Sequence, residues 1–153
     1  MNRAADAEVA APLHLLKMAV GVASLDELRE VRAQRTARLG GSWVYTRNHP
    51  RRAAPVLAGG SLYWVIRGQI RVRQRITGFD SKRDDKGRAY CLIGVDPELV
   101  PTLWRPWRPF QGWRYLTPAD APPDLPAGYS TRGLAGEAMP ERMLAELRTL
   151  GLL

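Results

Sequence analysis

The sequence predicts a mixed α+β domain with a small, strongly bent or pseudo-barrel sheet flanked by helices, and three features carry that expectation. Residues 61–78 alternate between apolar and polar with period two, as a strand with one buried face does. Ser24 and Glu27 form a capping box ahead of a helical run that Gly40-Gly41 stops. Short strand-like runs, LHLLKMAV, SWVYT and AYCLIGV, lie between and around these two.

The elements follow in chain order. Residues 1–11 lack the apolar centre of a secretory signal and read as a flexible tail before a single domain over 12–153. Leu13 to Val20 reads as a buried strand closed by Gly21. The helix over 24–39 carries a thin apolar stripe of Leu25, Leu28, Val31 and Leu39. SWVYT is a second strand, and a short helix then starts near Pro50 and ends at Gly59-Gly60, weakened by Pro55. Next comes one long strand, bent near Gly68, with its even positions from Leu62 to Ile76 inward. Its odd positions, which include Tyr63, Arg67, Arg71, Arg73 and Arg75, face outward. The polar loop 80–87 turns the chain, and 88–95 returns as the partner strand. In TLWRPWRPFQGWRYL the prolines favour polyproline II. Its three-residue turn would align Trp104, Trp107, Phe110 and Trp113 on one edge, with Arg105 and Arg108 on another. An irregular Pro/Gly-rich connection (117–137) leads to a C-terminal helix over 139–150.

Charge narrows the function. Val31 to Phe79 holds ten arginines and no lysine, aspartate or glutamate, within a chain of net charge +8. Codon bias can replace lysine by arginine, but it does not remove acids. Either carboxylates reach these guanidinium groups from elsewhere in the fold, or the surface stays positive for an anionic partner, with nucleic acid foremost. No apolar run approaches the roughly 20 residues that span a bilayer, so no membrane partner is expected. The single cysteine, Cys91, excludes an intramolecular disulfide and suits the reducing cytoplasm.

Three segments, PLHLLKMAVG (12–21), GGSLYWVIRGQIRVRQRI (59–76) and RPFQGWRYL (108–116), resemble a family of short alphaproteobacterial proteins classed as a domain of unknown function. The resemblance spans roughly residues 12–126 and implies no activity and no site residues. The element order is also similar to the PUA-like superfamily, which includes the ASCH and EVE domains. That likeness implies a small pseudo-barrel whose long basic strand binds RNA or modified bases. Some ASCH proteins are amidohydrolases that rely on pocket lysine and glutamate, and the long strand here has neither.

The expected partner is therefore RNA or another single strand. Arg67, Arg71, Arg73 and Arg75, with Arg47, Arg105 and Arg108, would hold phosphates, to which guanidinium forks fit bidentately. Tyr63, Trp104 and Trp107 would stack on bases. The competing structural reading is a solvated sheet face with scattered ion pairs, and aromatics that close the core. His14, His49 and Cys91 have no metal-ligand spacing, and no nucleophile, phosphate-loop or dinucleotide motif occurs, so no catalytic residue, metal or cofactor is expected. Two other functions stay open: an enzyme acting on a nucleotide or modified base in the same pocket, and a protein-interaction module using the Pro/Trp segment. A deep pocket with a carboxylate, lysine or histidine inside it would separate an enzyme from a binding module.

Overall fold

The computed structural model describes residues 11–126. The tail before residue 11 and the helix expected over 139–150 lie outside the described residues. Strand β1 (His14–Met18) leads to helix α1 (Leu25–Leu39), β2 (Trp43–Thr46), helix α2 (Ala53–Leu57) and β3 (Ser61–Ile66). Then follow β4 (Gln69–Arg83), β5 (Ala89–Val95), β6 (Val100–Pro106) and β7 (Trp113–Leu116). Ser24 caps α1 by accepting the Glu27 N–H, while the Glu27 carboxylate accepts the Ala23 N–H. Gly40, in the left-handed region at φ 73°, ends the helix. Pro55 does not break α2, because it falls in the first turn, where a missing N–H costs nothing.

The strands form one seven-stranded, mixed, open sheet in the order β2-β5-β4-β3-β1-β7, with β6 also on β4. Strand β1 runs parallel to β3 and antiparallel to β7; the other pairs are antiparallel. Strand β5 pairs with residues 76–83 of β4 and β6 with residues 69–73, so the two follow one another along it. Both helices cover one face, where Leu25, Leu28 and Val56 join Leu15, Leu62, Trp64, Val72 and Ile93. On the opposite face Leu16, Tyr63, Val65, Ile70 and Leu116 form a second cluster, covered by Trp107, Phe110 and Ala121.

The predicted single bent strand is a hairpin. Arg67 (φ 50°) and Gly68 (φ 75°) make a two-residue turn with both φ positive, and Ile66 pairs with Gln69 across it. Such a turn puts residues 66 and 69 on the same face, which should break the even-odd pattern. A β-bulge at Arg71 restores it: Val65 pairs with Ile70, but Trp64 pairs with Val72. Even positions 72, 74 and 76 thus rejoin the helix-covered face, while Ile70 alone points the other way. The odd face is not solvent-facing either, since Tyr63, Val65 and Arg71 are all buried. The predicted loop 80–87 is also shorter, because β4 continues to Arg83 and the turn is closed by Asp84 and Gly87.

The aromatic segment does not form one polyproline edge. Residues through Pro106 belong to β6, Trp107 and Phe110 pack on the second cluster, and Trp113 opens β7 on the helix-covered side.

Candidate functional site

The arginines of the hairpin are absorbed by the fold to different degrees. Arg71 is only 2% exposed, and its guanidinium carbon sits 3.9 Å from the centroid of the Trp104 ring. Arg73 makes a bidentate pair with Asp124, at 2.7 and 2.8 Å, and donates a third bond to Ser61 Oγ at 3.0 Å. Arg105 reaches Asp120 at 3.4 Å and lies over the Trp107 ring. Arg47 donates to the Ala89 carbonyl and covers Tyr45. Arg67, Arg75 and Arg108 are exposed. Carboxylates from the 117–126 segment therefore reach two of the predicted phosphate ligands. The expected face of Tyr63, Arg71, Arg73 and Arg75 does not exist as one open surface.

Arg73 belongs to a polar cluster beneath that segment. His14, Ser61, Tyr63, Arg73 and Asp124 line an open hollow of ≈ 380 Å³. Histidine and carboxylate are both present, the signature that would favour an enzyme, but their bonds are already committed. His14 Nδ1 accepts the Ser61 backbone N–H at 3.0 Å, which leaves the ring proton on Nε2. Burial, with Arg73 nearby, holds this imidazole below its ordinary value of 6.5. Burial likewise pushes the Tyr63 phenol up. Asp124 is occupied by Arg73 rather than by the histidine. The cluster holds segment 118–124 against the sheet and contains no nucleophile paired with a base.

A different set of arginines stays open. Asn48, His49, Arg51, Arg52, Trp113 and Tyr115 line a cleft of ≈ 650 Å³ with no acidic residue among them. Two hydrogen bonds pin the RNHPRR segment to β7. Trp113 Nε1–H donates to the Asn48 carbonyl at 2.8 Å, and the Arg52 backbone N–H donates to the Tyr115 hydroxyl at 3.0 Å. The Trp113 and Tyr115 rings meet edge to face, 4.8 Å between centroids. His49 donates from Nδ1 to the Pro50 carbonyl and packs beside Phe79. Arg52 lies over the Tyr115 ring, and Arg51 is exposed. Neither makes an ion pair among the described residues.

Of the residues expected from the sequence to contact nucleic acid, none lines this cleft. Arg51 and Arg52 belong to the acid-free stretch, but their position in an irregular segment gives no periodicity to rank them. Trp113 reads as core because it follows Gly112 and precedes the apolar Tyr115-Leu116.

The family model described as Protein of unknown function (DUF1489) matches residues 15–153. The chain belongs to that family. The match takes in every strand from Leu15 onward and all residues of the cleft. No curated protein and no solved structure matches the chain. Among the described residues, no helix of this family member is long and apolar enough to cross a membrane.

Proposed function

We propose that the protein binds nucleic acid, RNA or another single strand in preference to duplex DNA, through the cleft between the RNHPRR segment and β7. The observation that carries this reading is the pairing of Arg51 and Arg52 with the Trp113 and Tyr115 rings in a cleft that no acid lines. Guanidinium groups that no carboxylate among the described residues neutralises fit phosphates, and adjacent rings suit base stacking, which tolerates any sequence. Arg47 opens this segment, and Arg75 and Arg108 add exposed positive charge elsewhere on the surface. A PUA-like outline belongs to the same reading, with basic β4 following helix α1 and the Gly59-Gly60 turn. So does a cytoplasmic setting, where a lone buried Cys91 stays reduced.

A salt titration of single-stranded RNA binding tests the proposal. Each phosphate contact on a single strand contributes about −0.7 to the slope of log K against log salt. The double variant Arg51→Ala/Arg52→Ala is expected to flatten the slope by roughly 1.4. Its melting temperature should fall only slightly, because neither guanidinium has an ion-pair partner among the described residues and the Arg52 contact with the Tyr115 ring is at an exposed site. Lys82→Ala is the control, since Lys82 already pairs with Asp80 at 3.4 Å. Wild-type protein with no salt-dependent affinity for RNA or DNA would refute the reading.

A further inference from the structure

Strand β1 ends in a second basic hollow that the nucleic-acid reading does not use. Lys17 shares a face with Leu15, and its register partners are Trp64 on β3 and Trp113 on β7. The chain then reverses at Gly21 (φ 77°) and returns as α1, which lays Arg32 and Arg35, one turn apart, towards the same place. Lys17, Arg32 and Arg35, with Val44, Tyr45 and Trp64, are among the residues around a hollow of ≈ 190 Å³. Among the described residues, every charged one lining it is a cation.

Three features of this hollow are costly without a ligand. Arg32 is 6% exposed, and its Nη2 donates to the Trp43 carbonyl at 3.0 Å. Its buried Nε–H has no hydrogen-bond partner among the described residues, although buried donors are nearly always satisfied. Burial, with Arg35 close by, pushes the Lys17 ammonium down. Burial, again with Arg35, does the same to Arg32. Among the described residues no carboxylate lines the hollow, so the three cations repel one another, and a bound anion would relieve that repulsion and satisfy the donors together.

We infer that the Lys17–Arg32–Arg35 hollow is a binding site for one phosphate group. The volume lies below the ~300–1,000 Å³ of pockets for whole drug-sized ligands, which favours a single group over an entire nucleotide. Guanidinium forks match the tetrahedral oxygens bidentately, and lysine supplies a point charge. The apolar wall of Val44 and Trp64 accepts the first carbons of an ester. The phosphate comes either from a free phosphomonoester or from the 5′ end of a strand lying in the neighbouring cleft. Trp113, which lines that cleft, is the direct cross-strand neighbour of Lys17. The site does not depend on the nucleic-acid reading.

Calorimetric titration of the full chain with inorganic phosphate tests the inference. One saturable site is expected, weakened about tenfold or more by Arg35→Ala and by Lys17→Met, as befits the loss of a charged hydrogen bond. Arg51→Ala/Arg52→Ala should leave phosphate affinity unchanged even where it abolishes RNA binding, so the two proposals fail separately. Arg35 is exposed and unpaired among the described residues, so its variant stays folded and decides the matter if Lys17→Met does not fold. A matched pair of RNA oligonucleotides, with and without a 5′-phosphate, identifies the source. A 5′-phosphate preference that Arg35→Ala erases assigns the site to a strand terminus. Equal binding of both oligonucleotides, alongside phosphate binding that Arg35→Ala weakens, assigns it to a free monoester. Absence of saturable phosphate binding, or a loss that follows Arg51 and Arg52 rather than Arg35, overturns the inference.

Discussion

Arg71 and Arg73 stand two positions apart on β4, yet neither is the solvated phosphate ligand that alternation suggests. Arg71 occupies the bulge and lies over the Trp104 ring, an arrangement in which a desolvated cation–π contact is worth about 2 kcal/mol. Arg71→Ala is therefore expected to lower stability by about 2 kcal/mol in chemical denaturation, where a solvated sheet face predicts no loss. Lysine should not rescue it, because an ammonium cannot stack as the guanidinium plane does. His14 gives a pH test at the same scale. Its folded form is held neutral, so below its ordinary value of 6.5 the unfolded chain takes up a proton that the folded chain refuses. The stabilisation is complete above that value and is lost as pH falls. Melting temperature should drop faster from pH 7 to 5 in wild type than in His14→Gln. Equal slopes would mean that the imidazole titrates freely.

Among the elements, the β3–β4 hairpin shows why a clean pattern can mislead. A two-residue turn shifts the inward positions by one, and a one-residue bulge four positions later shifts them back. The written sequence then alternates as though one strand ran through. Arg67-Gly68 carries little turn signal, since asparagine or aspartate before glycine is the usual mark, and nothing local announces the bulge. By contrast Ser24, Glu27 and Gly40 act within one helical turn, so α1 is legible to the residue. The glycines of the next boundary have separate roles. A Cβ on Gly60 would lie 2.1 Å from the Leu13 carbonyl oxygen and 2.5 Å from that of Val56, both fixed backbone. A Cβ on Gly68 meets nothing within 4 Å, leaving only its positive φ as a cost. Gly68→Ala should cost about 1–2 kcal/mol. Gly60→Ala should cost clearly more, or prevent folding, because β1, α2 and β3 all meet there. Equal melting temperatures for the two variants would contradict that packing.

For the molecule as a whole, the absence of acids from Val31 to Phe79 marked where positive charge accumulates but not which charges stay free. That is decided by Asp120 and Asp124, which lie far away in sequence and come back to Arg105 and Arg73. Arg51 and Arg52 remain open because no such carboxylate reaches the RNHPRR segment among the described residues. Side-chain periodicity reports faces of strands and helices. It is silent on irregular segments, and the cleft is walled by one.

The insertion of β1 between β3 and β7 also has a consequence for synthesis. The ribosome delivers β1 before either neighbour, so this strand emerges with neither sheet partner yet made. The β3–β4 hairpin can close locally as it emerges, since its turn is two residues long. It can then receive β1 along one edge, but Leu16 gains its second neighbour only when residues 113–116 arrive. A nascent chain paused before Trp113 thus exposes the outer edge of β1 to any extended peptide that can imitate β7.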